Sequence, residues 1–143
     1  MKNTKTNIQK VLGWTNGLAI LSAVFSVLGL FSVIAILLAA QSTSSGLAMG
    51  IGEMLTMIFW FGFYTTMMII FRTSGSKLKR NLTISTMPYI IWIVAQLGNV
   101  VWQVSARIIE GGFESVDGWL VAPIVYAVIT VLLAYFPLRY LKK

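Results

Sequence analysis

A chain of 143 residues, 57% hydrophobic and only 10% charged, with a mean hydropathy of +0.83, lies outside the range of soluble domains and reads as an integral membrane protein. At roughly 20 residues per crossing, its length suits an all-α polytopic domain of four transmembrane helices with short connections. The absence of cysteine and histidine excludes disulfides, thiol nucleophiles, an imidazole general base, and the haem and zinc sites built on those residues.

The net charge of +7 is explained by where the charges stand. In a four-span layout Lys2, Lys5, Lys10, Arg72, Lys77, Lys79, Arg80, Arg139, Lys142 and Lys143 fall on one side, with Arg107 alone on the other. The four acids, Glu53, Glu110, Glu114 and Asp117, fall near that other side. This is the positive-inside pattern, and it predicts an antiparallel bundle with both termini in the cytoplasm. The expected location is multi-pass, in a bacterial cytoplasmic membrane. The expected partners of the basic side are anionic lipid headgroups, attracted by about 1 kcal/mol per basic residue near the surface. Nucleic acid is not expected, because no aromatic-basic module stands outside the membrane to hold it.

Residues 1–10 form a basic tail and residues 11–40 run without a charge. Such an opening imitates a secretory signal, but the run far exceeds the roughly 7–15 apolar residues of a signal core, so it is read as a retained first span. At roughly 45 Å it is longer than a hydrocarbon core of about 30 Å and should tilt or begin among the headgroups at Trp14. Thr15, Ala19, Ser22, Ser26 and Gly29 share one face, a small-residue stripe suited to close helix packing. Gly13 and Gly17 form an isolated GxxxG, read as packing within the chain.

Residues 41–46, QSTSSG, are expected to turn on the outer side, and the second span covers residues 47–71. It carries Met49, Met54, Met57, Met67 and Met68 and an aromatic block of Phe59, Trp60, Phe61, Phe63 and Tyr64. Glu53 stands nineteen residues before Arg72, roughly 28 Å along a helix, which puts it near the outer edge of the hydrocarbon, within reach of interfacial water. Its helical face continues through Met57, Trp60 and Tyr64. Residues 72–85 are read as a cytoplasmic loop, with Gly75 as the helix stop. The Asn81-Leu82-Thr83 glycosylation pattern falls on the side where it is not modified.

The third span, residues 86–108, has Pro88 in its first turn, where a missing N–H is tolerated. Tyr89, Trp92, Gln96, Asn99, Gln103 and Arg107 fall within an arc of roughly 80° on one face. Amide side chains are costly in hydrocarbon, so this face is expected to meet protein or water. The second and third spans are expected to be neighbours, with Glu53 and Arg107 paired at the outer edge. Residues 108–118 form an acidic outer loop, with Gly111-Gly112 ending one helix and Asp117 capping the next. The fourth span covers residues 119–140, with Pro123, Ala127, Thr130 and Ala134 on one face, and it ends at Pro137 and Arg139. No internal repeat relates the halves, which argues against an inverted-repeat transporter.

Enzymatic chemistry is not expected. The spans lack clustered acids or metal ligands, the hydroxyls lack an activating base, and no glycine-rich phosphate loop is present. No cofactor is implied. The leading reading is an accessory or interaction subunit of a larger membrane complex. The alternative is a homo-oligomeric small transporter or channel for a cationic or amphipathic solute. It would use Glu53 and the Gln96, Asn99 and Gln103 stripe, with Trp60, Tyr64, Tyr89 and Trp92 as aromatic walls.

Overall fold

The computed structural model describes residues 2–42, 51–111 and 121–141, with side chains described over 7–38, 54–109 apart from Arg107, and 121–141. Four helices make up these residues: α1 (Lys2–Ser42), α2 (Ile51–Lys79), α3 (Met87–Gly111) and α4 (Val121–Leu141). All four are long and apolar enough to cross a membrane, and the chain is a multi-pass membrane protein of four-helix bundle type. Gln41 and Ser42, expected in the outer turn, instead belong to α1, and the rest of that turn and the Asp117 cap lie outside the described residues.

Gly75 does not stop α2. The helix runs on to Lys79, because Gly75 is a site of close approach: Asn16 Oδ1 of α1 lies 2.8 Å from where a Cβ would stand. The stop comes six residues later. Asn81 takes the left-handed conformation at φ 56°, the Leu82 amide donates to the Lys77 carbonyl and the Asn81 amide to the Leu78 carbonyl. Together these form a Schellman cap that satisfies the last carbonyls of the helix. After this short turn α3 begins at Met87, whose amide donates to Ser85 Oγ. Near the other end of the chain α4 continues through Pro137 to Leu141.

The helices meet through different kinds of surface. Along α1 and α2, Gly29 packs on Phe61 with 3.3 Å between their Cβ positions, Ser26 Oγ lies 2.6 Å from Thr65 Oγ1, and Asn16 lies over Gly75. Residue numbers rise along α2 as they fall along α1, and small residues let the two backbones come close. The Thr65 hydroxyl donates to the Phe61 carbonyl, so its proton is spent and Ser26 is the donor between the helices. Between α1 and α4, Trp14 stacks on Phe136 at 5.1 Å, Phe25 meets Tyr126 edge-on at 4.9 Å, and Lys10 lies over the Tyr140 ring. The buried stripe of α4 is Ala127, Thr130, Ala134 and Pro137. Gly13 and Gly17 are not points of close helix approach, since among the described residues nothing lies within 4 Å of either Cβ position.

The backbones of α2 and α3 approach closely at only a few positions, because aromatic rings fill the space between them. Phe63, Tyr64 and Phe71 of α2 all contact Trp92, and Phe71 also contacts Tyr89. These rings, with Leu18, Met67 and Ala134, form the core. It is one-sided. Among the described residues, the buried ones span Val11 to Ser26 on α1, Tyr64 to Leu78 on α2, Tyr89 to Gln96 on α3, and Ala127 to Pro137 on α4. All of these lie toward the end that holds the Lys77–Arg80 turn, while toward the other end the described residues include many large apolar side chains that are exposed.

Candidate functional site

The stripe read along α3 divides into two environments. Tyr89, Trp92 and Gln96 are fully buried, while Asn99 and Gln103 are half-buried. The buried part has its own polar bonding. The Thr15 hydroxyl donates to the Val11 carbonyl at 2.7 Å, so in its 2.6 Å contact with Tyr89 the tyrosine O–H is the donor. That bond ties α3 to α1. The Gln96 amide nitrogen donates to the Tyr64 hydroxyl at a long 3.5 Å, and among the described residues Gln96 Oε1 and Trp92 Nε1 have no hydrogen-bond partner. A long bond with an orphaned acceptor contributes little net stability, because an unmade bond in a dry interior costs about as much as a made one returns.

Asn99 instead faces a groove of about 820 Å³ between α2 and α3. Leu55, Phe59, Trp60 and Phe63 form its α2 wall, and Ile91, Val94, Gly98 and Trp102 stand with Asn99 on the α3 wall. The rings of Phe63, Tyr64 and Trp92 hold the two helices apart on the core side, and the groove is the outward face of that spacing. Gly98 is open, with nothing within 4 Å of its Cβ position. Among the described residues Asn99 and Gln103 make no hydrogen bond, so the groove presents one amide side chain amid hydrocarbon and aromatic surface. Thr56 stands opposite, on the α2 wall.

Of the residues singled out from sequence, Tyr64, Tyr89, Trp92 and Gln96 come together in the core, and Trp60 and Asn99 share the groove. Trp60 links the two groups through its ring contact with Tyr64 at 5.7 Å. Gln103 stands further along α3. Glu53 lies in the first turn of α2 and Arg107 near the end of α3. Their side chains, and hence the expected ion pair, lie outside the described residues. Sequence reasoning missed the groove wall of Leu55, Phe59, Gly98 and Trp102. The signal present was Ala95 and Gly98 beside Trp102, a small-residue gap next to a large ring on the flank of the polar stripe. Among the described residues no group of acids capable of holding a metal ion is present. Comparisons with protein-family models, with curated proteins and with solved structures find no match for the chain.

Proposed function

We propose that the chain is an accessory subunit of a larger membrane complex, and that its α2–α3 groove receives a transmembrane helix of the partner. In this reading the bundle is antiparallel, both termini are cytoplasmic, and the chain is not an enzyme. The opposed numbering of the helix contacts and the one-sided distribution of Lys and Arg support that orientation.

The observation that carries the reading is Asn99: a half-buried amide without a hydrogen bond among the described residues, set in a groove whose lining is otherwise apolar apart from Thr56. Exposed apolar surface alone calls for no partner, since lipid tails solvate it as well as another helix does. An amide facing hydrocarbon does call for one, and a hydrogen bond across a helix interface supplies it for about 1 kcal/mol. The transport alternative needs the stripe along a water path, and Gln96 is instead sealed against Tyr64.

The test is a photo-cross-linking side chain in place of Trp102 at the groove rim, with one at Ile129, exposed on α4, as the control. Irradiation of native membranes is expected to give a single protein adduct from position 102 and none from 129. Adding Asn99→Leu should reduce it. Adducts to lipid alone, or to a second copy of the chain, would overturn the reading.

A further inference from the structure

We propose that the cleft between α1 and α2 at the basic end of the bundle binds one phospholipid with a negatively charged headgroup. The proposal rests on the helices lying in a bilayer with Arg72 at its boundary, and it is independent of the partner assigned to the α2–α3 groove.

The cleft has a volume of about 570 Å³ and is polar at one end and apolar at the other. Arg72, Ser76 and Lys79 follow one another at helical spacing along α2, and Asn16 faces them from α1. Arg72 is the first charge after the apolar run of α2. Lys79 stands two turns further on, about 10 Å along the axis, a spacing that matches the depth of a headgroup layer. Below this level Ala19, Ala23 and Met68 form a shallow trough, and the two alanines leave the room there that an acyl chain fills.

Each polar group has a definite part. The Arg72 guanidinium suits two-point bonding to phosphodiester oxygens, and the Lys79 ammonium adds a second positive charge. The Asn16 amide can donate, and it lies across the cleft because Gly75 has no side chain to displace it. Ser76 is not a donor to the ligand, since its hydroxyl donates to the Arg72 carbonyl at 3.1 Å.

The charge balance selects among lipids. Among the residues whose side chains are described every charged one is basic, and the acid of α2, Glu53, is about 28 Å from Arg72 along the helix. A zwitterionic headgroup would bring its own cation toward two others with no acid to receive it. A net-anionic headgroup brings only the charge that the cleft lacks.

Native mass spectrometry of the full chain, released from mixed micelles of phosphatidylglycerol and phosphatidylcholine, tests this. One phosphatidylglycerol is expected to remain bound, and Arg72→Gln with Lys79→Gln should lower its occupancy about tenfold. Lys77→Gln with Arg80→Gln removes the same charge outside the cleft and should leave occupancy unchanged. Ala23→Phe should lower it by filling the trough with no change of charge. The proposal is overturned if both charge-removal pairs act equally, if phosphatidylcholine is retained as well as phosphatidylglycerol, or if millimolar inorganic phosphate displaces the bound molecule.

Discussion

Replacing Trp92 by alanine is expected to destabilise the bundle by about 3 kcal/mol, the lower end of the range for deleting a buried aromatic from a packed core. Trp92 is fully buried and its ring centroid lies 5.7 Å from that of Phe71, 5.8 Å from Tyr64 and 6.0 Å from Phe63. In a bilayer the gain from leaving water is largely absent, so the loss comes from broken ring contacts and the cavity left behind. Trp92→Phe keeps a ring in place and removes an indole N–H that has no partner among the described residues, so it should cost under about 1 kcal/mol. Gln96→Leu, one turn away, deletes only a long bond and an orphaned acceptor and should be neutral or slightly stabilising. Reversible unfolding in mixed micelles measures all three. A large loss from Gln96→Leu with little from Trp92→Ala would make the polar stripe, not the rings, the support of the interface.

The second large effect is on assembly. Gly98→Leu should leave the bundle intact, because Gly98 is exposed and nothing stands within 4 Å of its Cβ position. Exchanging glycine for leucine inside a helix favours the helix by up to about 0.8 kcal/mol. The new side chain nevertheless projects into the space assigned to the partner helix. Overpacking a fitted interface costs about 1–3 kcal/mol, so recovery of the partner from native membranes should fall by about ten- to a hundredfold. Unchanged recovery with a stable variant would show that the partner binds elsewhere.

The packing faces of α1 and α4 are legible in the sequence because the long central stretches of both helices, residues 17–40 and 121–138, are uncharged and mostly large and apolar, and their small and hydroxyl residues break the uniformity. Thr15, Ser22 and Ser26, and Ala127, Thr130 and Ala134, stand at helical spacing and are buried. On α3 the polar stripe marks the protein-facing side for the opposite reason, as the part that hydrocarbon penalises. Periodicity names a face, however, and says nothing of how far away the neighbour stands. That is why the aromatic spacing of α2 from α3, the groove behind it and the loose outer half are not readable from the pattern. Large apolar residues facing lipid and large apolar residues facing a partner look alike in a membrane sequence. Gly75 misled for a related reason: glycine serves helix termini and close helix contacts alike, and only the presence of Asn16 opposite distinguishes them.

Within a bilayer, α3 turns one side into the bundle and the other outward. Single cysteines, introduced along residues 89–106 of a chain that has none and spin-labelled in liposomes, test it through collision rates with oxygen and with a water-soluble nickel chelate. Positions 92 and 96 should be shielded from both reagents, 94 and 101 open to oxygen alone, and 99 intermediate. Oxygen access at 96 equal to that at 94, or nickel access along the whole series, would mean that α3 does not divide in this way.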